Sequence, residues 1–447
     1  MRTICGTIIA AVGLSLTVNA AEVMVDFDKD IGPVKPVNGV GQPPMMGGPA
    51  NFWMMHYLGE AGIPFSRLHD VHGAHYVDIP KVFPDFSADE TDPANYDFAF
   101  TDKLLLALNA AGVKPYYRLG VTIENHPQVK AYHIFPPKDC AKWARICEHV
   151  MAHYLEGWAD GPKVDVSHWE IWNEADFHPE SGKNQMWQAP FEEYIRLYIV
   201  AAKHLKARFP QEKIGGFGSC GFYHAATGDT REQAIHHMKC IEEFLSAVKR
   251  EKAPLDFFSY HSYAGVADTM KHAKAAREYV DKYGFNGIEL SLNEWLPHPR
   301  HEKLGSAQQA AEIAAELIGF QNGPVDSACI YDARCGVGNY SPLFNPLTYK
   351  PHKAYYAFVA FNELRNVGTA VFAKSDDPNV WVAAAKGEKD AAVMLANDSD
   401  RTIPLSCDFK GRAVASCRIT DKDRTDAEVQ MPGELPPHSF VLLKVGN

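Results

Sequence analysis

The sequence predicts an α/β fold, a (β/α)8 TIM barrel followed by a small all-β sandwich, and three observations predict it. Between residues 36 and 364, eight short apolar runs alternate with segments carrying apolar residues at i, i+3, i+4 spacing, which calls for a parallel sheet covered by helices. Beyond residue 364 the period falls to two, in short runs separated by Asp, Asn, Gly and Pro clusters. The chain of 447 residues accommodates both parts. About 330 residues for eight strand–helix units lies within the usual size of such barrels.

The expected barrel strands are 37–40, 65–68, 114–119, 167–172, 214–218, 257–261, 288–293 and 327–332. Helical periodicity fills 96–111, 139–154, 191–208, 231–250, 269–283 and 306–321 between them. The stripe is clear in 139–154, where Trp143, Ile146, Val150 and Tyr154 share a face and Asp139 stands as N-cap. A helix-like segment at 353–364 ends this region. The tail offers five short strands, 380–385, 391–395, 402–407, 413–419 and 439–445, as a small sandwich would. Residues 22–28 alternate Val23, Val25 and Phe27, and are expected to add a strand to the sandwich rather than to the barrel. The expected divisions are therefore a leader at 1–20, an N-terminal strand segment at 21–35, the barrel at 36–364 and the sandwich at 365–447.

Composition narrows the function. With 46% hydrophobic and 22% charged residues the chain is an ordinary globular protein, which excludes collagen, coiled coil and wholesale disorder. Its net charge of −11, with no run of basic residues, argues against a nucleic-acid or anionic-membrane partner. Eight Trp, 19 Tyr and 24 Phe suit a large core, and equally suit sugar rings that stack on exposed aromatic faces. Gly39-Val40-Gly41-Gln42-Pro43-Pro44 lacks the GxGxxG spacing and following helix of a dinucleotide site, and no GxSxG elbow is present.

Arg2, the apolar stretch from Ile4 to Val18 and the small-residue exit Val18-Asn19-Ala20 have the three parts of a secretory leader, with cleavage expected near Ala20 or Ala21 and a secreted or periplasmic destination. Eight cysteines follow Cys5, an even number that permits disulfides in an exported protein. Cys140 and Cys147 are too far apart along a helix to bridge; Cys407 and Cys417, flanking a possible hairpin, are the most plausible pair if any forms, and buried small apolar thiols are the expected reading. No Cys/His grouping has zinc spacing.

The chemistry concentrates at two strand ends. In a barrel of this kind reactive groups sit at the C-terminal ends of the strands, because the interior is packed with side chains. Trp169-Glu170-Ile171-Trp172-Asn173-Glu174 leaves the fourth expected strand and Leu290-Ser291-Leu292-Asn293-Glu294-Trp295 leaves the seventh, each delivering Asn-Glu where an apolar strand stops.

On these residues, and on Phe257-Phe258-Ser259-Tyr260-His261-Ser262-Tyr263 in the sixth strand, the sequence resembles clan A of the glycoside hydrolases, and within it glycoside hydrolase family 39, which includes β-xylosidases and α-L-iduronidase. The resemblance implies that Glu294 is the nucleophile and Glu174 the acid/base of a retaining double displacement, which needs carboxyls about 5–5.5 Å apart and no cofactor or metal. It also implies that Arg67 holds the nucleophile carboxylate ionised and oriented, and that Asn173 bonds the sugar 2-hydroxyl. Tyr263 is expected against the nucleophile, and His261 against either the sugar or the acid/base. His69, in a cluster with His72 and His75 after the second strand, and His126 after the third are expected sugar contacts. Trp295 and Trp172 are candidate stacking walls, Trp172 being the better placed to pack into the barrel.

The expected function is a secreted retaining exo-glycosidase acting on terminal sugars of oligo- or polysaccharides, β-xylosidase- or arabinosidase-like. The alternatives are a hexose- or uronic-acid-directed enzyme of the same clan, for which Arg118, Arg300 and Arg334 are candidate cations, and a non-catalytic carbohydrate-binding barrel.

Overall fold

A computed structural model describes residues 20–45, 52–69, 77–123 and 134–446. Residues 1–19 of the expected leader therefore lie outside the described residues, as do His72, His75 and His126. No helix among the described residues is long and apolar enough to cross a membrane.

Eight parallel strands close into a barrel: β2 (Gly39–Gly41), β3 (Phe65–Leu68), β4 (Lys114–Leu119), β5 (His168–Ile171), β6 (Ile214–Ser219), β7 (Phe257–Ser262), β8 (Glu289–Trp295) and β9 (Ser327–Ile330), with β9 pairing back onto β2. Their residues are almost all buried, as strands packed on both faces must be. Phe65, Tyr116, Phe257 and Cys329 fill one layer of the interior. Helices Ala99–Ala110, Cys140–Glu156, Phe191–Arg208, Glu232–Glu251, Val266–Lys282 and Ala307–Asn322 lie between the strands. Asp139 caps the second of these, its Oδ1 accepting from the amides of Ala141 and Lys142 at 2.8 and 3.1 Å.

The remaining strands form one nine-stranded sheet, not two separate ones. Its order is β15-β14-β17-β12-β11-β10-β1-β13-β16, where β1 is Ala21–Pro33, β10 Thr369–Ser375, β11 Val380–Lys386, β12 Ala391–Asn397, β13 Ile403–Asp408, β14 Val414–Thr420, β15 Ala427–Val429, β16 Glu434–Leu435 and β17 Ser439–Val445. The sheet curls around its own core, to which both ends contribute: Ile403 and Leu435 at one, Cys417 and Ile419 at the other. Its central strands are buried on both faces. In β12, Ala391, Val393 and Leu395 face that core, whereas Ala392, Met394 and Ala396 pack with the barrel core. Helix Ala307–Asn322 and helix Lys353–Val367 supply the barrel's side of this contact. That position explains why Ala307–Asn322 is buried nearly all round.

β1 pairs antiparallel with β10 and parallel with β13, so the N-terminal strand lies in the C-terminal sheet. No disulfide joins Cys407 and Cys417, in keeping with the expectation that the cysteines serve as small apolar side chains. Cys407 is on β13 and Cys417 on β14, which lie near opposite ends of the sheet rather than in one hairpin, and all eight described cysteines are free thiols.

Candidate active site

Both acid-bearing strand ends break the two-residue period, and this turns the glutamates over the barrel mouth. On β5, His168 and Glu170 face the interior, while Trp169 and Ile171 pack outward. Trp172 and Glu174 then take positive φ, +72° and +42°, which non-glycine residues adopt only at a cost of roughly 1–2 kcal/mol each. The Trp172 indole consequently leaves the interior, packs against Trp143 and Trp187, and donates its Nε1–H to the Met186 carbonyl at 2.9 Å. The Glu174 amide donates to the Gly218 carbonyl at 3.0 Å, which fixes the acid above the mouth.

On β8 the register against β7 slips by one residue: Tyr260 opposes Leu292, but His261 opposes Glu294. Asn293 is thus the extra residue, and it turns its amide into the barrel. Regular alternation would send Glu294 outward beside Leu292; the slip brings it inward and sends Trp295 out instead. Trp295 is fully buried against Phe320 and Phe358, so the expected stacking wall is not there. An aromatic wall does stand near the site, built from residues after β9: Tyr331 and Tyr340 meet the Tyr263 ring edge-on, and Tyr340 is partly exposed.

Arg67, at the end of β3, joins the centre. Its Nη1 donates to Glu294 Oε1 at 2.6 Å, its Nε to Glu170 Oε2 at 2.7 Å and its Nη2 to Asn173 Oδ1 at 2.5 Å. The other Glu294 oxygen accepts from the Tyr263 hydroxyl at 2.6 Å. His261 Nδ1 sits 2.7 Å from Glu174 Oε1 and 3.4 Å from Glu294 Oε2. One carboxyl oxygen of Glu174, one ring nitrogen of His261 and one carboxyl oxygen of Glu294 all lie within 4.8 Å of one another. His69 lies 3.2 Å from the Asn173 amide and 3.8 Å from Glu294. Glu174, Glu294, Arg67, Asn173, His69, His261 and Tyr263 therefore converge on one place.

The two carboxyls differ in state because their surroundings differ. Burial raises the pKa of Glu174, and the nearby charge of Glu294 adds to this, outweighing His261. Burial opposes ionisation of Glu294 too, but there the charges of His261 and Arg67 and the Tyr263 hydrogen bond prevail and hold it below the usual range. The pKa of His261 is itself raised: burial disfavours its charge, but Glu294 and Glu174 outweigh that and favour its protonated form between the two carboxyls. Glu174, His261 and Glu294 are also the one trio among the described residues whose donor atoms could converge on an ion. Burial and the charges of Arg118 and Arg67 keep His69 neutral, fit to bond a hydroxyl. Of the other candidate cations, Arg118 is paired with Asp78 at 2.8 Å and Arg334 with Asp332 at 2.5 Å.

Sequence reasoning passed over Glu170, Ser259 and Gly218. Glu170 is wholly buried and accepts from Arg67, from Ser259 Oγ at 2.7 Å and from Asn293 Nδ2 at 2.6 Å. Its signal was available, since a carboxylate inside an apolar barrel strand must have partners.

Fold and site define a (β/α)8 barrel with a paired-carboxyl centre at the C-terminal ends of its strands. The family model described as glycosyl hydrolases family 39 matches residues 67–294. The chain is 27% identical over 256 residues to a β-xylosidase of Geobacillus stearothermophilus, covering 49% of this chain and 46% of that one, so the match spans about half the length of that relative. It is 22% identical over 369 residues to a β-xylosidase of Caldicellulosiruptor saccharolyticus, covering 74% and 70%. Among solved structures, a glucosidase from Croceicoccus marinus aligns with a TM-score of 0.75 at 21% identity over 96% of this chain and 99% of that one. A family 39 β-xylosidase from Caulobacter crescentus aligns at 0.69 and 19%, over 95% and 100%. This chain belongs to glycosyl hydrolases family 39.

Proposed function

We propose that this protein is an exported retaining exo-glycosidase that removes terminal sugars, β-xylose first among them, from oligo- or polysaccharides. One observation carries the mechanism: two carboxyls with oxygens within 4.8 Å of each other, in surroundings that push the pKa of Glu294 down and that of Glu174 up. Glu294 attacks the anomeric carbon while Glu174 gives its proton to the leaving oxygen. Forming the glycosyl ester removes the Glu294 charge, so the Glu174 pKa falls and it takes a proton from the water that releases the sugar. Asn173, locked by Arg67, is placed for the 2-hydroxyl, and neutral His69 beside it offers a further sugar contact. The xylose preference rests on the names of the two β-xylosidase relatives, and export on the leader-like residues 1–20.

A panel of p-nitrophenyl xylosides, arabinosides, galactosides, glucosides and glucuronides tests the reading. Turnover should be greatest on the β-xyloside. Glu294→Ala should lower it by several orders of magnitude, with azide restoring release as a glycosyl azide of inverted configuration. No hydrolysis of any member by the intact protein would discard the enzyme reading in favour of a carbohydrate-binding barrel.

A further inference from the structure

We propose that Glu170, beneath the two candidate catalytic glutamates, is a positioning residue that fixes Arg67 and Asn293 around Glu294 and balances the charge on which the division of labour between Glu294 and Glu174 depends. The inference rests on the proposed roles of those two residues.

The geometry carries it. Glu170 reaches three other barrel strands: β3 through Arg67 Nε, and Nη2 at 2.7 Å, β7 through Ser259 Oγ, and β8 through Asn293 Nδ2. Two of these residues define the position of Glu294: Arg67 holds one of its oxygens, and Asn293 precedes it in the chain at the point where the strand register slips. A guanidinium held only by Glu294 could swing about that one contact. With Glu170 on its Nε edge its plane is set, and Nη2 is aimed at Asn173.

Energetics point the same way. A buried ion pair contributes little net stability compared with apolar groups of the same volume, and this layer of a barrel is ordinarily filled by branched apolar side chains. A role in holding the fold together would not call for a carboxylate here.

The charge count gives the role its test. Glu170 offsets the charge of Arg67, so that His261, 3.4 Å from Glu294, is the other cationic partner of that carboxylate. The other titratable groups that feel the Glu170 charge are Tyr116 on β4, Cys329 on β9 and Tyr194 on helix Phe191–Arg208, all held un-ionised by burial. Replacing Glu170 with the isosteric Gln leaves one uncompensated positive charge below both carboxyls, which stabilises both anions.

The experiment compares the parent with Glu170→Gln and Glu170→Asp. For Glu170→Gln the expected result is a 10- to 100-fold fall in kcat with KM little changed, and both limbs of the kcat/KM pH profile moved toward acid. Glu170→Asp keeps the charge but shortens the reach, so kcat should fall while the limbs stay near their parental pH. Unmoved limbs in Glu170→Gln would overturn the proposal, whether kcat falls or not. Titration of the Glu174 and Glu294 carboxyl carbons by NMR gives the same answer without turnover: both should titrate lower in Glu170→Gln. If the intact protein cleaves no glycoside, the functional reading fails on its own panel, and the carboxyl titration still decides whether Glu170 sets the charge balance. If Glu170→Gln does not fold, the parental pattern of carboxyl titration in a folded Glu170→Asp supports the charge role, and a downward shift there overturns it.

Discussion

His261 presents a single ring nitrogen to both acids of the site, 2.7 Å from Glu174 Oε1 and 3.4 Å from Glu294 Oε2. The imidazolium thereby connects the two carboxyls electrostatically: it favours the anion of each, and Glu294, which also holds Arg67 and the Tyr263 hydroxyl, is the one that ionises. Its Nε2 is buried without a hydrogen-bond partner.

This arrangement predicts a bell-shaped kcat/KM profile. Activity rises with pH as Glu294 ionises, below the usual carboxylate range, and falls as Glu174 loses its proton, above that range. Glu174→Gln should abolish the alkaline limb and slow substrates with poor leaving groups by about 10²–10⁴-fold, aryl glycosides with good leaving groups being slowed less. Initial rates across pH for parent and variant check this; an alkaline limb that survives in Glu174→Gln would belong to another group.

Gly218 has φ +62°, donates its amide to Ser259 Oγ at 2.8 Å and accepts from the Glu174 amide. A Cβ there would come within 2.8 Å of Asn173 Oδ1, 3.3 Å of Glu170 Oε1 and 3.4 Å of Arg67 Nη2. Gly218→Ala should therefore displace the Asn173–Arg67 contact, lowering kcat by about 100-fold and stability by about 1–3 kcal/mol. Steady-state kinetics and thermal melting measure both effects, and a variant with parental kcat would show that the reaction does not need that contact.

Glu289 opens β8 at the opposite end of the barrel. It accepts from His168 at 2.8 Å, Ser327 Oγ at 2.6 Å and Lys213 Nζ at 2.6 Å. Burial works against its charge, but these contacts prevail and bring its pKa down to about 2. A carboxyl depressed in the folded state stabilises above its unfolded pKa of about 4.5, and that stability is lost as pH falls from there toward 2. Glu289→Gln should cost about 2–3 kcal/mol at pH 7 and flatten the loss of stability between pH 4.5 and 2. Urea unfolding at several pH values reads this out; an equally steep acid loss in the variant would assign it to other groups.

Much of the fold was legible because a strand buried on both faces leaves a continuous apolar run between turns. Residues 65–68 and 114–119 read as strands at the bounds they have, and five strands of the tail read within a residue or two. β10 did not, since its buried residues Ala370 and Val371 are consecutive rather than alternating and its neighbour β1 comes from the far end of the chain. Cys407 and Cys417 stay unpaired for a related reason: nearness in sequence suggests a hairpin, whereas sheet order depends on contacts made across the whole domain.

The sequence by itself determined which residue types reach the ends of which barrel strands: Arg67 and His69 after the second, Asn173 and Glu174 after the fourth, His261 and Tyr263 at the sixth, Glu294 at the seventh. Only the tertiary structure decided which way each side chain turns. The left-handed backbone at Trp172 and the one-residue slip at Asn293 reverse the facing that plain alternation assigns, putting Trp172 and Trp295 outside and Glu294 inside. Closure of the barrel then gave Glu170 its role, because Arg67, 103 residues away, and Asn293, 123 residues away, meet it only once all eight strands have joined.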